Sequence, residues 1–392
     1  MPLEALSEYW LDDLFPLENQ TADLSGSAIF ELPESTKRFL DHYVLPIEAE
    51  HERFLALRQW VFEQFSRYEY DANQTVSVSE LVNTRKINCL SFSAMFVAAA
   101  RYVDIPADFQ LVYAPPYWDL ESDTWIVNQH INVYGDIKVP RSNLVVINEF
   151  HNFRFSDEYL YGLGVSIPRS RGSTRQRYIA DINRAVVSIP FSTRPLNENQ
   201  VKALFYNNQA VEHLNTGELT VAYHHIKLAL QQDRSLSAVW NTLGVLYQRL
   251  GQLAMAEKAY LAAIDLGEDI LSAQSNLAII YRATNRAWEA EQLQTAIADH
   301  RHNNPYFHYA LGEKSMQEGD PNGASSHFKQ AIKLKHNEEI FYYALAKAEV
   351  KLGEYDNVEK NLKQARIYAK GEGKNKYRNK LEAFTEAVAS AR

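Results

Sequence analysis

The chain has 392 residues, enough for two domains, and its 46% hydrophobic and 23% charged residues are those of a folded globular protein. Its 49 acidic and 40 basic residues leave a formal charge of −9, so bulk electrostatics favour neither nucleic acid nor an anionic membrane. One cysteine excludes an internal disulfide framework, and no run of 18 apolar residues is present to span a membrane.

Met1-Pro2-Leu3-Glu4 lacks the basic-then-apolar pattern of a signal peptide. The chain therefore reads as cytoplasmic as it stands, and as periplasmic or lipid-anchored if a signal segment has been removed. Residues 1–35, broken at Phe15-Pro16 and Leu32-Pro33, form an N-terminal arm. Residues 47–70 read as a helix, because Phe54, Leu57, Arg58, Val61, Phe62 and Phe65 make one apolar stripe with the arginine stem along it. Ser77 and Glu80 stand at capping-box spacing and start a second helix.

The third helix, about 89–103, opens on Asn88-Cys89-Leu90-Ser91-Phe92 and stops before Asp104-Ile105-Pro106. It carries the sole cysteine at its mouth. There the helix dipole favours a thiolate, and the free N–H groups of the first turn can hold an oxyanion. A small core hydrophobe is the plainer reading of such a residue.

Ala107 to Tyr113 alternates as a strand, followed by the rigid loop Ala114-Pro115-Pro116-Tyr117-Trp118. Ile126 to Tyr134 is a second strand, with Asn128, His130, Asn132 and Tyr134 on one face and Ile131 and Val133 on the other. Leu144 to Phe150 is a third, ending in Asn148 and Glu149. Glycine and proline interrupt 156–198, and Arg169, Arg171, Arg175 and Arg177 read as a basic surface loop or a carboxylate clamp. Pro195-Leu196-Asn197 opens a helical region, which sets a domain boundary near 195.

From 199 a repeat of 34 residues takes over. Gly217, Gly251, Asn285, Gly319 and Gly353 recur at that step, where a first helix must end at positive φ. Leu243, Leu277, Leu311 and Leu345 share a second slot. Ala222, Ala256, Ala290, Ala324 and Val358 share a third, where two helices approach closely. The pattern resembles the tetratricopeptide repeat, with five units over about 199–369 and a capping helix near 373–390. That resemblance implies an all-α superhelix whose groove binds a protein or peptide partner. His224-His225 and His300-Arg301-His302 lack the paired spacing of metal ligands, so no metal is expected there.

A cysteine nucleophile needs a base and a group to orient that base. Cys89, His130 and Asn148 appear in that order, each on its own element. Arg101-Tyr102-Val103-Asp104-Ile105-Pro106-Ala107 follows the cysteine helix, and His130-Ile131-Asn132-Val133 forms the histidine strand. These motifs resemble the transglutaminase-like superfamily, whose core is papain-like, over about 50–155. They are similar more particularly to bacterial chains that join such a domain to C-terminal tetratricopeptide repeats. The family pattern has glycine where Asp104 stands, and aspartate where Asn148 is the best match.

The resemblance implies an α+β transglutaminase-like domain over 1–195 and a repeat domain over 196–392. It implies a Cys89 nucleophile, His130 base and Asn148 orienter, with Glu149 third if the register slips and Asp136 a weaker choice. An upstream Gln74 or Asn83 would complete the oxyanion hole with the Cys89 N–H. The function expected is acyl transfer without a cofactor, as an amidase, protease or transamidase. The alternative is a non-catalytic interaction scaffold with a degenerate core domain.

Overall fold

The computed structural model describes residues 3–16, 29–65, 67–113, 130–138, 164–166, 175–182, 193–267, 270–369 and 373–390. The chain divides into two compact units, one of residues 1–114 and 121–291 and the other centred on 292–392.

The first unit begins with α1 (Glu34–Tyr43), α2 (Glu50–Phe65), α3 (Val78–Thr84) and α4 (Cys89–Tyr102). A short parallel pair, β1 (Glu69–Tyr70) and β2 (Lys86–Ile87), sits among them. The main sheet holds β3 (Asp108–Val112), β4 (His130–Lys138), β5 (Gly164–Ser166), β6 (Arg175–Asp181) and β7 (Thr193–Leu196). Its order is β5-β6-β4-β3-β7 and every pairing is antiparallel. Helices followed by an antiparallel sheet make an α+β domain, as expected.

Local sequence explains the helix boundaries. Ser77 and Glu80 form the expected capping box at α3. In α4, the Asn88 side chain accepts the Ser91 N–H at 2.8 Å and so caps a helix in which Leu90, Phe92, Met95 and Phe96 are all buried. The helix ends at Tyr102 with Val103 as its C-cap, and the next residue, Asp104, has a left-handed φ of 54°, with Ile105 N–H closing back on Ala100 O at 2.8 Å. Asp104 thus adopts a backbone conformation that glycine favours.

One face of the sheet is apolar. Phe109 pairs with Val133, Leu111 with Ile131, and Val133 with Ala180. Tyr178 carries that face to the helices, its ring 4.6 Å from Phe54 of α2 and 5.9 Å from Phe96 of α4. The Arg58 stem is buried on α2, as its stripe position requires.

The expectation of irregular backbone through 156–198 needs correction, because β5, β6 and β7 all lie within it. Arg175 and Arg177 stand in β6, not in a loop, because β6 pairs with β4 from Lys138↔Arg175 to Val133↔Ala180. Arg177 lies 5.1 Å from the Tyr134 ring and 3.4 Å from Asp136. Pro195 lies inside the strand β7, and the expected helical region opens at Asn197, which caps the helix that starts at Glu198. The proline is tolerated in β7 because β7 is the edge of the sheet. The expected second strand is β4, described from His130 to Lys138 and so running past the expected end at Tyr134, while 126–129 lie outside the described residues. The expected third strand, 144–150, lies outside the described residues.

The repeats of the first unit comprise α5 (Glu198–Thr216), α6 (Leu219–Gln232), α7 (Ser237–Arg249), α8 (Leu253–Leu266) and α9 (Ile270–Ala283). A further helix, α10, spans Ala287–His302. The second unit adds α11 (Pro305–Gln317), α12 (Pro321–Leu334), α13 (Glu339–Leu352), α14 (Tyr355–Tyr368) and α15 (Gly373–Ser390). All five 34-residue turn positions have positive φ, from 59° at Asn285 to 82° at Gly217. The small slot is just as strict: a Cβ on Gly244 would stand 2.5 Å from Tyr260 Cδ1, and one on Gly312 2.6 Å from Phe328 Cδ1. Tyr377 of α15 is buried with Tyr342 and Ala365, which covers the end of the last pair.

The sheet domain is tied directly to the first repeat helix. Arg101, at the end of α4, donates to Ala107 O at 3.0 Å, meets Asp108 at 3.1 Å, and pairs with Glu198 of α5 at 2.5 Å.

Candidate active site

Cys89 is the first residue of α4, and its side chain sits at the positive end of the helix. The residue is 8% exposed. The preceding Asn88 turns its amide nitrogen to Thr75 Oγ1 at 2.6 Å. Asn208 of α5 donates to the same hydroxyl at 3.2 Å. Ser91 donates to Val76 O at 2.8 Å and accepts Val76 N–H at 3.0 Å. The cysteine therefore stands on a helix end fixed from both the 74–77 segment and the first repeat.

One turn along α4, Ser93 donates to Ile131 O at 3.3 Å. That contact sets the start of β4, and with it His130, beside the first turn of α4. His130 Nε2 donates to the Asp181 carboxylate, 2.8 Å from Oδ2 and 3.0 Å from Oδ1. Cys89 is the other ionisable group that acts on its ring. Asn132 donates to Asp181 Oδ2 at 2.9 Å, and Gln110 donates to Asn132 Oδ1 at 2.8 Å. Strand register explains this row. Gln110 pairs with Asn132, and extending the Val133↔Ala180 ladder by one residue sets Asn132 opposite Asp181. Gln110, Asn132 and Asp181 are buried, with Asp181 at 0% exposure. The buried carboxylate is thus compensated by a buried hydrogen-bond chain.

Burial alone would push His130 down. The charge and hydrogen bonds of Asp181, with those of Cys89, outweigh it and raise His130 from its ordinary 6.5 to about 10. The fold thus holds the protonated form. Its stabilisation is complete below the unfolded value of about 6.5 and is lost as pH climbs through about 10. Urea unfolding from pH 6 to 10 should show the wild type losing stability faster than His130→Gln. Parallel curves would refute that role for His130.

Of the residues singled out from sequence, the structure brings Cys89 and His130 together. Asn148 and Glu149 lie outside the described residues. Asp136 faces Arg177. Asn83 is exposed and Gln74 is half-buried. Asp181 was not anticipated. Its signal was the alternating run Arg175 to Asp181 with an acidic end, hidden behind the glycines and prolines of the preceding stretch.

Two family patterns match the chain. The transglutaminase-like superfamily core matches residues 38–149, and a tetratricopeptide repeat matches residues 237–269. The chain therefore carries a transglutaminase-like core domain followed by tetratricopeptide-type helix pairs. Among solved structures it is similar to YrrB, described as a tetratricopeptide protein with an unusual peptide-binding site, at 17% identity and a TM-score of 0.24. That match covers 42% of this chain and 86% of the other. PilF of Pseudomonas aeruginosa matches at 16% identity over 50% of this chain and 94% of its own, with a TM-score of 0.26. A chain of the APC/C hetero-tetramer Cut9–Hcn1 matches at 19% identity over 43% of this chain and 33% of its own, with a TM-score of 0.25. No curated protein sequence matches the chain.

Proposed function

We propose that the chain is a cysteine-dependent acyl-transfer enzyme, an amidase or protease or a transamidase, whose repeats recruit a protein or peptide substrate. The observation that carries this reading is the His130–Asp181 pair, set beside the thiol that opens α4. We place the catalytic part in 1–195 and the recruiting part in 196–392, a division supported by the passage from β7 to α5.

In this reading the proton shared by Cys89 and His130 rests on the imidazole, and Asp181 stabilises that imidazolium and fixes its ring. The thiolate sulfur attacks the acyl carbon, and the carbonyl electron pair moves to oxygen. The helix N-terminus at Cys89 offers backbone N–H groups to that oxyanion. Collapse expels the amine, which takes the proton from His130 and leaves a thioester. Water then gives hydrolysis, and an amine gives transamidation. Such chemistry needs neither metal nor organic cofactor.

The repeats suit protein recruitment, and the first repeat helix touches the segment that caps α4. Among the described residues no helix is long and apolar enough to cross a membrane.

The low exposure of Cys89 favours a second reading, in which the core domain survives as a binding module. Alkylation by iodoacetamide at pH 6 separates the two. The catalytic reading expects Cys89 to react about tenfold faster than free cysteine, because the His130 imidazolium and the helix N-terminus stand beside its sulfur, and His130→Gln to abolish the advantage. A wild-type rate no faster than that of free cysteine would leave only the scaffold.

A further inference from the structure

Residues 3–15 lie on α6, α7 and α8 much as a peptide lies on a receptor. They form two short 3-10 turns, Leu3–Tyr9 and Asp12–Leu14. The Tyr9 ring meets Trp240 edge-on at 4.8 Å, and Phe15 stacks on Tyr223 at 4.0 Å. Both Tyr9 and Phe15 are buried. The backbone is read as well. Tyr247 donates its hydroxyl proton to Tyr9 O, and Leu11 N–H donates to Tyr223 OH at 3.0 Å.

One pairing is used twice. Lys258 lies 4.4 Å from the Tyr9 ring centre and 2.9 Å from the Glu8 carboxylate. Lys227 lies 5.3 Å from the Trp10 ring centre and 2.5 Å from Asp12. Each lysine thus reads an acid and an aromatic ring together, by ion pair and cation–π contact. Tyr223 adds a hydrogen bond to Asp12 at 2.8 Å. The repeat surface supplies cations and rings, and the arm supplies acids and rings.

The surface extends past the arm. A cavity of about 600 Å³ opens beside Tyr9, walled by Trp240, Lys258, Leu261 and Leu266. Leu261 is 45% exposed and Leu266 37%. The arm therefore fills part of a longer groove. Exposed ion pairs hold weakly, so its seat depends on a few rings.

We infer that this face docks a partner segment in which acidic and aromatic residues adjoin, and that the chain's own arm occupies it until that segment displaces it. The inference rests on the recruiting half of the proposed function and not on its chemistry. The arm is the template for the partner. The charge complementarity and the open space beyond Tyr9 favour a longer segment of the same kind.

The test uses the full chain and a fluorescent synthetic peptide of residues 3–15. Tyr9→Ala with Phe15→Ala loosens the arm and should bind the peptide about tenfold more tightly than wild type by anisotropy. Adding Lys227→Glu and Lys258→Glu should abolish that binding, and a scrambled peptide should not bind. No binding to the loosened chain, or binding indifferent to the two lysines, overturns the inference. Amide exchange in the wild-type chain decides the matter independently of any variant. The arm amides of Trp10, Leu14 and Phe15 should exchange about tenfold faster than those of α7, since the arm opens while the repeats stay closed. Exchange of the arm only with global unfolding marks a fixed brace and overturns it. Iodoacetamide labelling of Cys89 in the same samples reports separately on the catalytic reading.

Discussion

Asp181→Asn lowers the reactivity of Cys89 by about tenfold at pH 6–7, down to that of free cysteine, because an amide in place of the triad's carboxylate no longer holds the imidazolium. The shapes match and the charge alone is removed. Asp181 accepts from two donors, His130 Nε2 and Asn132 Nδ2. An asparagine has one acceptor oxygen and one NH₂ group, so one of those donors would face a donor. The chain from Gln110 through Asn132 pins that choice, because Asn132 already spends its oxygen on Gln110. Without the carboxylate, His130 loses the largest of the effects that offset its burial. The ring then gives up its proton more readily and is a weaker partner for a thiolate. The measurement is the rate of iodoacetamide alkylation against pH for both proteins. The variant should approach the wild type only at alkaline pH, where hydroxide supplies the thiolate. Superimposable profiles would remove Asp181 from the proposed mechanism.

How much of this was legible beforehand depends on the range of each signal. Capping residues act within one turn, so Ser77 and Glu80, and Asn88 before Cys89, could be read directly. The repeat could be read because five copies hold their left-handed turns and small contacts in phase. Cys89 and His130 carry local marks, a helix mouth and a strand of alternating character. Asp181 carries none of comparable strength. Its place follows from the β6–β4 ladder, a pairing between segments about forty residues apart whose register no local pattern states. Arg175 and Arg177 misled for the same reason, since charged residues on a strand's solvent face look like a loop when the partner strand is unknown. Asp104 shows the reverse case. It stands where the resemblance expects a glycine, and its φ of 54° is one that glycine adopts freely. The N-terminal arm gave only its breaks. Its seat on α6–α8 depends on rings more than two hundred residues away.

Gly135→Ala should cost about 3 kcal/mol or more, placing it among the severe core substitutions. Gly135 lies on β4 opposite Tyr178 of β6. An added Cβ would collide with the Pro106 carbonyl oxygen and stand 2.7 Å from Tyr178 Cε1. Neither neighbour can yield cheaply. The carbonyl belongs to the backbone between α4 and β3, and it accepts the Tyr178 hydroxyl at 2.8 Å. The ring is held between Phe54 and Phe96. The collision must therefore part β4 from β6 or push the α4–β3 connection outward. Both strands of the His130–Asp181 pair would feel the first, and the cysteine helix would feel the second. Gly217→Ala is the proper control. Gly217 has a φ of 82° with nothing near its missing Cβ, so alanine there meets only backbone strain, about 1–2 kcal/mol. Urea unfolding of the two variants beside the wild type measures the contrast. Equal losses would show that the sheet can absorb a methyl group at Gly135, and that the close approach of β4 to Pro106 is not what holds the two halves of the site together.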